Sequence, residues 1–166
     1  MSTTLLFGDS LTAGRYGIAY TRYLPISKEI RGIDGDTLGG IVQRACAAVV
    51  HRLVPARAIV IQGGANDLLI PALSRRDQRW AALGKHLGTH GFAPLEDVGL
   101  FTERLSGQLD RLWAVAKGNR IIVCSIPPLG ENVHSCLNQR RAEMNEQVHR
   151  VTLARGFTWC DIASAM

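Results

Sequence analysis

The stretch AIVIQGGAND, residues 58–67, decides the fold. Ala58 to Gln62 is continuous, β-branched and apolar, and it stops at Gly63-Gly64. A run without polar alternation reads as a strand covered on both faces, which is the habit of parallel sheets. Outward from it, short apolar runs alternate with longer amphipathic ones. Thr4 to Phe7, a weaker Lys28 to Ile33, Arg120 to Ser125 and Phe157 to Ile162 read as further strands. Tyr16 to Tyr23 reads as a short helix. Three stripes recur at helical spacing: Leu38 to Val49, Phe101 to Ala116 and Leu137 to Val151. Gly118-Asn119 and Gly156 punctuate the last two.

Strand-helix alternation of this kind predicts a flavodoxin-like α/β three-layer sandwich, with a parallel sheet in the order 2-1-3-4-5. At 166 residues the chain is expected to form one domain. Pro71 to Val98 is expected to be a loop with one short helix, inserted near the functional edge and lining any pocket there.

Composition narrows the function classes. A net charge of +5 is carried by scattered Lys and Arg without aromatic interleaving, so the basic residues read as a solvated face and nucleic acid is not expected as a partner. No apolar run has the length of a membrane span, and nothing at the N-terminus resembles a signal peptide. The sequence as given therefore reads as cytoplasmic, although removal of a leader would leave the same residues. Cys46, Cys124, Cys136 and Cys160 show no CxxC or Cys/His ligand spacing, so neither a metal nor a cofactor is expected. Cys124 and Cys160 fall in strands expected to be buried, and Cys46 on an apolar helix face.

In a sheet of this order the loops after strands 1, 2 and 3 gather at the strands' carboxyl ends, beside the topological switch. The first carries Gly8-Asp9-Ser10-Leu11-Thr12, where Ser10 is presented as a nucleophile or where Asp9 or Ser10 caps a helix. The second carries Gly35, whose N–H is either an unobstructed donor or part of a plain turn. The third carries Asn66, an amide donor for a developing oxyanion or the start of an Asx-turn with Asp67 as the cap of the next element. Each loop alone is explained by turn chemistry. Together they place a hydroxyl, a backbone N–H and an amide at adjacent strand ends.

These residues resemble the blocks of the GDSL, or SGNH, hydrolase family. Phe7-Gly8-Asp9-Ser10-Leu11-Thr12-Ala13-Gly14 is similar to its first block, Gly35-Asp36-Thr37 to its glycine block, and Gly64-Ala65-Asn66-Asp67 to its GxND block. The resemblance implies an ester hydrolase acting on a small-molecule ester. Ser10 would be the nucleophile, with its own N–H, the Gly35 N–H and the Asn66 side chain forming the oxyanion hole. Asp9 would organise the loop.

The family's fourth block, Asp-x-x-His, has no match in this chain. Three residues after Asp161 stands Ser164, and the helix that follows that block in the family is absent from these 166 residues. Among the five histidines, His51 and His149 fall in helices and His86 and His90 in the basic insertion. His134 follows strand 4 at the functional edge, three residues after Glu131, and is the alternative base. The expectation is of a shortened chain whose base lies elsewhere. Apolar sheet surface would then be left open, to be covered by self-association or by a C-terminal segment. A non-catalytic binding module on the same fold is the second expectation.

Overall fold

The computed structural model describes residues 3–15, 20–52, 56–74, 97–130 and 135–165. Five parallel strands form one sheet in the order β2-β1-β3-β4-β5, as expected. The strands are β1 (Thr4–Gly8), β2 (Lys28–Gly32), β3 (Ala58–Gln62), β4 (Arg120–Cys124) and β5 (Thr158–Cys160). The helices are α1 (Ser10–Ala13), α2 (Leu38–Val50), α3 (Ala65–Ser74), α4 (Val98–Val115) and α5 (Ser135–Leu153). Tyr20–Tyr23 forms a 3-10 turn at the end of the predicted first helix, whose residues 16–19 lie outside the described set.

Strand alternation divides the sheet into two unlike faces. Leu5, Phe7, Ile59, Ile61, Ile121 and Val123 point into the main core, which α2, α4 and α5 cover with Ile41, Val42, Leu109, Leu112 and Val148. All of these are at most 4 % exposed. The stripes read from the sequence are the buried faces of these helices, except that Trp113, expected in the second stripe beside Leu112, is 59 % exposed and lies off that face. Leu6, Val60 and Ile122 point the other way, into a trough of about 490 Å3. Tyr20, Leu24 and Ile26 wall it on one side, and Cys160 and Ile162 lie at the other. Among the described residues its lining beyond the sheet comes from α1, the 3-10 turn, the chain leading to β2, and Pro127 and Ile162 after β4 and β5.

Two local readings are corrected. Pro71 to Ser74, expected to open a loop with one short helix, instead continue the helix that begins at Ala65 directly after β3. Pro71 forfeits the backbone bond to the Asp67 carbonyl, yet Leu68, Ile70 and Pro71 are buried, and that burial keeps the helix in place. Cys160, expected in a buried strand, is exposed. It sits on a three-residue edge strand beside the open face, so one side of it has no neighbouring strand. Of the 71–98 segment, residues 75–96 lie outside the described set.

The strand ends that matter for function are held by one side chain from α2. Arg44 donates from Nε to Asp36 Oδ2 at 2.7 Å, from Nη1 to the Arg31 carbonyl at 2.9 Å and from Nη2 to the Gly8 carbonyl at 3.0 Å. Nη2 also lies 2.6 Å from Asp36 Oδ2, and the guanidinium stands 6.0 Å from the centre of the Phe7 ring. A planar guanidinium carries five N–H donors spread over a rigid fork, so it reaches three groups on three segments in one fixed geometry, where the three donors of an ammonium converge on a single point. The exit of β1, the end of β2 and the following loop are thereby set against α2.

Arg44→Met should cost about 3 kcal/mol, because the buried Asp36 carboxylate loses its cation while keeping its charge. Urea unfolding monitored by circular dichroism checks this as a lower midpoint at unchanged slope. Arg44→Lys should recover only a minor part of the loss. A cost below about 0.5 kcal/mol would show the pair to behave as a solvated surface bridge.

Candidate functional site

Both readings of Gly8-Asp9-Ser10 hold, but for different residues. Asp9 is the N-cap of α1: its Oδ1 accepts from the Leu11 N–H at 2.9 Å. Ser10 is thereby freed from capping, and as the first residue of α1 it stands half-buried directly beyond β1. Among the described residues its hydroxyl has no hydrogen-bond partner, nor has its backbone N–H. The helix is pressed onto the strand ends by Thr12, which is fully buried and donates to Gln62 Oε1 at 2.7 Å, with the Tyr20 hydroxyl 2.9 Å away. Gly8 permits this approach, since a Cβ there would lie 1.9 Å from Thr12 Oγ1.

The second loop turns at Gly35, with φ of 73° and the Asp36 N–H bonded to the Ile33 carbonyl at 3.3 Å. A left-handed residue at this point favours glycine. Its N–H makes no hydrogen bond among the described residues. Thr37, not Asp36, caps α2, accepting from the Gly40 N–H at 3.2 Å.

The third loop enters α3 at once, so Asn66 and Asp67 lie in the first turn of that helix rather than in an Asx-turn. Asn66 Nδ2 donates to the Asp36 carbonyl at 2.9 Å, which ties the third loop to the second and leaves one amide hydrogen unassigned. Asp67 reaches the same place from the other direction, its Oδ2 accepting from the Leu38 N–H at 2.9 Å. The structure thus brings Ser10, Gly35 and Asn66 together as the loops of β1, β2 and β3. Arg44, Asp36, Asp67 and Thr12 hold those loops. The only sequence signal for the holding residues was their place within the same blocks, and Arg44 had none.

Three carboxylates, Asp9, Asp36 and Asp67, converge beneath these loops. Asp36 is the one paired with Arg44. Asp9 is 1 % exposed, and its Oδ2 is buried without a partner among the described residues. Burial pushes its carboxyl up to about 6, against the Leu11 bond that favours the anion. Burial likewise pushes Asp67 up to about 7, with the charges of Asp36 and Asp9 adding to it.

The fourth loop is held differently. Asn145 accepts from the Ile126 N–H at 2.7 Å and donates to the Ile126 carbonyl at 3.0 Å. Asn138 does the same for Leu129, at 3.1 Å in both directions. His134 and Glu131, the alternative base and its orienting carboxylate, lie outside the described residues, as do His86 and His90. His51 closes α2, and the His149 ring lies 5.0 Å from that of Trp159. Neither of these two is in a loop at the strands' carboxyl ends.

Past β5, Asp161 accepts from the Ser125 hydroxyl at 3.0 Å, and both the hydroxyl and the N–H of Ser164 bond to it. These bonds hold its carboxyl below the usual carboxylate range, Ser164 foremost. Among the described residues no cluster of His, Cys, Asp and Glu could hold a metal ion, and no helix is long and apolar enough to cross a membrane.

Raised carboxyl pKa values carry a signed consequence. Asp9 and Asp67 bind protons more tightly folded than unfolded, so their contribution to stability is complete at low pH. It declines as pH rises from about 4, the unfolded value, toward about 6 and 7. Asp67→Asn should therefore gain stability relative to the parent across that window and hold a constant advantage above it. Urea unfolding of both proteins from pH 4 to pH 8 checks this, and a difference independent of pH would contradict it.

Comparison with known proteins bears on the fold and the family. No curated protein sequence matches the chain. Among solved structures it is similar to a lipolytic protein of the G-D-S-L family from Veillonella parvula, at 17% identity and a TM-score of 0.67 over 99% of this chain and 79% of that one. A GDSL-like lipase from Bacteroides thetaiotaomicron matches at 14% identity and 0.68, over 99% and 70%. The acetylxylan esterase Axe2 from Geobacillus stearothermophilus matches at 15% and 0.64, over 99% and 77%. At these identities the likeness is one of fold. The family model for GDSL-like lipases and acylhydrolases matches residues 6–166. With that match over nearly its whole length, the chain belongs to the GDSL-like lipase/acylhydrolase family.

Proposed function

We propose that this chain hydrolyses small acyl esters through an acyl-Ser10 intermediate. The reading rests on one observation: among the described residues the Ser10 hydroxyl at the exit of β1 is unengaged, and the loops after the two flanking strands carry Gly35 and Asn66. Ser10 Oγ attacks the ester carbonyl carbon, and its proton passes to a base. The negative charge moves to the carbonyl oxygen, where the N–H groups of Ser10 and Gly35 and the second hydrogen of Asn66 Nδ2 stabilise it. The alcohol leaves with a proton, and water then attacks the acyl-serine to release the acid. Donors already fixed by Asp36, Asp67 and Arg44 need no reorganisation as the charge develops, which is where such sites gain most of their rate. Leu11, next to Ser10, lines the apolar trough, so an apolar acyl group has a surface to bury against.

The proton acceptor is the step for which the 166 residues offer no family motif. Asp161 and Ser164 hold the first and fourth positions of Asp-x-x-His, and they are bonded to one another. A serine hydroxyl does not take up a proton near neutral pH, so this pair favours a second reading as a non-catalytic binding module on the same fold. His134 is the alternative base within the chain.

Hydrolysis of p-nitrophenyl acetate and butyrate separates these readings. Ser10→Ala should fall to the uncatalysed rate, and Asn66→Ala should lower kcat by about 10²–10³-fold. Ser164→His, which places an imidazole beside Asp161, should raise kcat by about 10²–10⁴-fold. The gain should appear as pH rises through about 6.5. Loss in Ser10→Ala with none in His134→Ala removes His134 as the base. Equal background rates for parent, Ser10→Ala and His134→Ala, with no gain in Ser164→His, would leave the binding module as the function.

A further inference from the structure

A second feature lies on the trough face of the sheet, across β4 and β5. Cys124 ends β4 and Cys160 ends β5, and the two are register partners in neighbouring parallel strands. Their side chains point to the same face, and both line the trough. Paired residues on adjacent strands stand ~4.8 Å apart, within the ~4.4–6.8 Å between Cα atoms that a disulfide spans. The backbone is clamped at this level as well, since the Ser125 N–H donates to the Cys160 carbonyl at 2.9 Å.

The structure assigns Cys124 and Cys160 a dithiol site, which we propose is oxidised by a small-molecule disulfide to an intrachain disulfide joining β4 to the edge of the sheet.

The two thiols are unlike in a way that orders the reaction. Cys160 is exposed, whereas Cys124 is 7 % exposed. Burial pushes the Cys124 thiol up to about 12, with the Cys160 sulfur adding to the shift through its charge and a direct hydrogen bond. Cys160 as thiolate therefore attacks one sulfur of the small disulfide and expels one thiolate. Cys124 then loses its proton and attacks the Cys160 sulfur, expelling what had been attached there. Two electrons pass from the two protein thiols to the small disulfide, which leaves as two thiols carrying the two protons. Among the described residues no further His, Cys, Asp or Glu completes a metal set here. β5 is three residues long and lies at the sheet edge, so it can move the fraction of an ångström that bonding requires.

The full chain, reduced and then exposed to glutathione disulfide, tests this by intact mass, thiol titration and non-reducing peptide mapping. The expected result is loss of two of the four thiols, with no glutathione retained and a single cross-link between the peptides holding Cys124 and Cys160. The melting temperature should rise on oxidation and return with dithiothreitol. Cys124→Ser should stop at a mixed disulfide on Cys160. Cys46→Ser/Cys136→Ser should still form the cross-link, which keeps the test decisive if Cys124→Ser fails to fold. Four thiols remaining, a stable mixed disulfide in the parent, or a cross-link through Cys46 or Cys136 would overturn the assignment.

Discussion

The guanidinium of Arg44 is the constraint on which the rest of this structure depends. It stands where α2 passes the strand ends and satisfies the carbonyls of Gly8 and Arg31 together with the carboxylate of Asp36. Those groups belong to the exits of β1 and β2 and to the loop between β2 and α2. Buried polar groups left unpaired are costly, so one cation that answers three of them fixes three segments in a single geometry. Asp36 then offers its carbonyl to Asn66, and Asp67 takes the Leu38 N–H. The loops that carry Gly35 and Asn66 are the last links of a chain that begins in a helix.

The same loops hold more negative charge than their cation balances. Among the described residues Asp9 and Asp67 have no cationic partner comparable to Arg44, and burial drives both toward the neutral acid. This is a stability cost incurred in keeping the loops rigid through short carboxylate-to-amide bonds. It is concentrated at the proposed site rather than spread through the fold, as functional sites commonly show. The opposite face of the sheet departs from the habit of parallel sheets in another way. Among the described residues its apolar strip of Leu6, Val60 and Ile122 lines a trough rather than a helix interface, and the Cys124–Cys160 pair sits within it.

Much of the fold is legible in residue order alone. Continuous β-branched runs such as Ala58–Gln62, bounded by glycines, read as strands, and helical stripes such as Leu105, Leu109 and Leu112 admit little else. The order 2-1-3-4-5 follows from right-handed crossovers. The boundaries are less legible. The helix Ala65–Ser74 carries Pro71 in its interior at a visible local cost, while the burial of Leu68 and Ile70 that offsets that cost is not legible along the chain. Cys160 reads as buried because its neighbours are apolar, while its position on an edge strand depends on the assembled sheet.

By itself, the sequence determined the family blocks, the parallel sheet and the three loops that carry Ser10, Gly35 and Asn66. These are local patterns, and local sterics and burial periodicity write them directly into residue order. Only the tertiary structure decided that Asp9 rather than Ser10 caps α1, that Asn66 is held by the Asp36 carbonyl, and that Arg44 joins the strand ends. It also set Cys124 against Cys160, thirty-six positions further along the chain. Hydrogen bonds and register between distant segments are chosen by the geometry of the closed sheet, and no spacing along the chain encodes them.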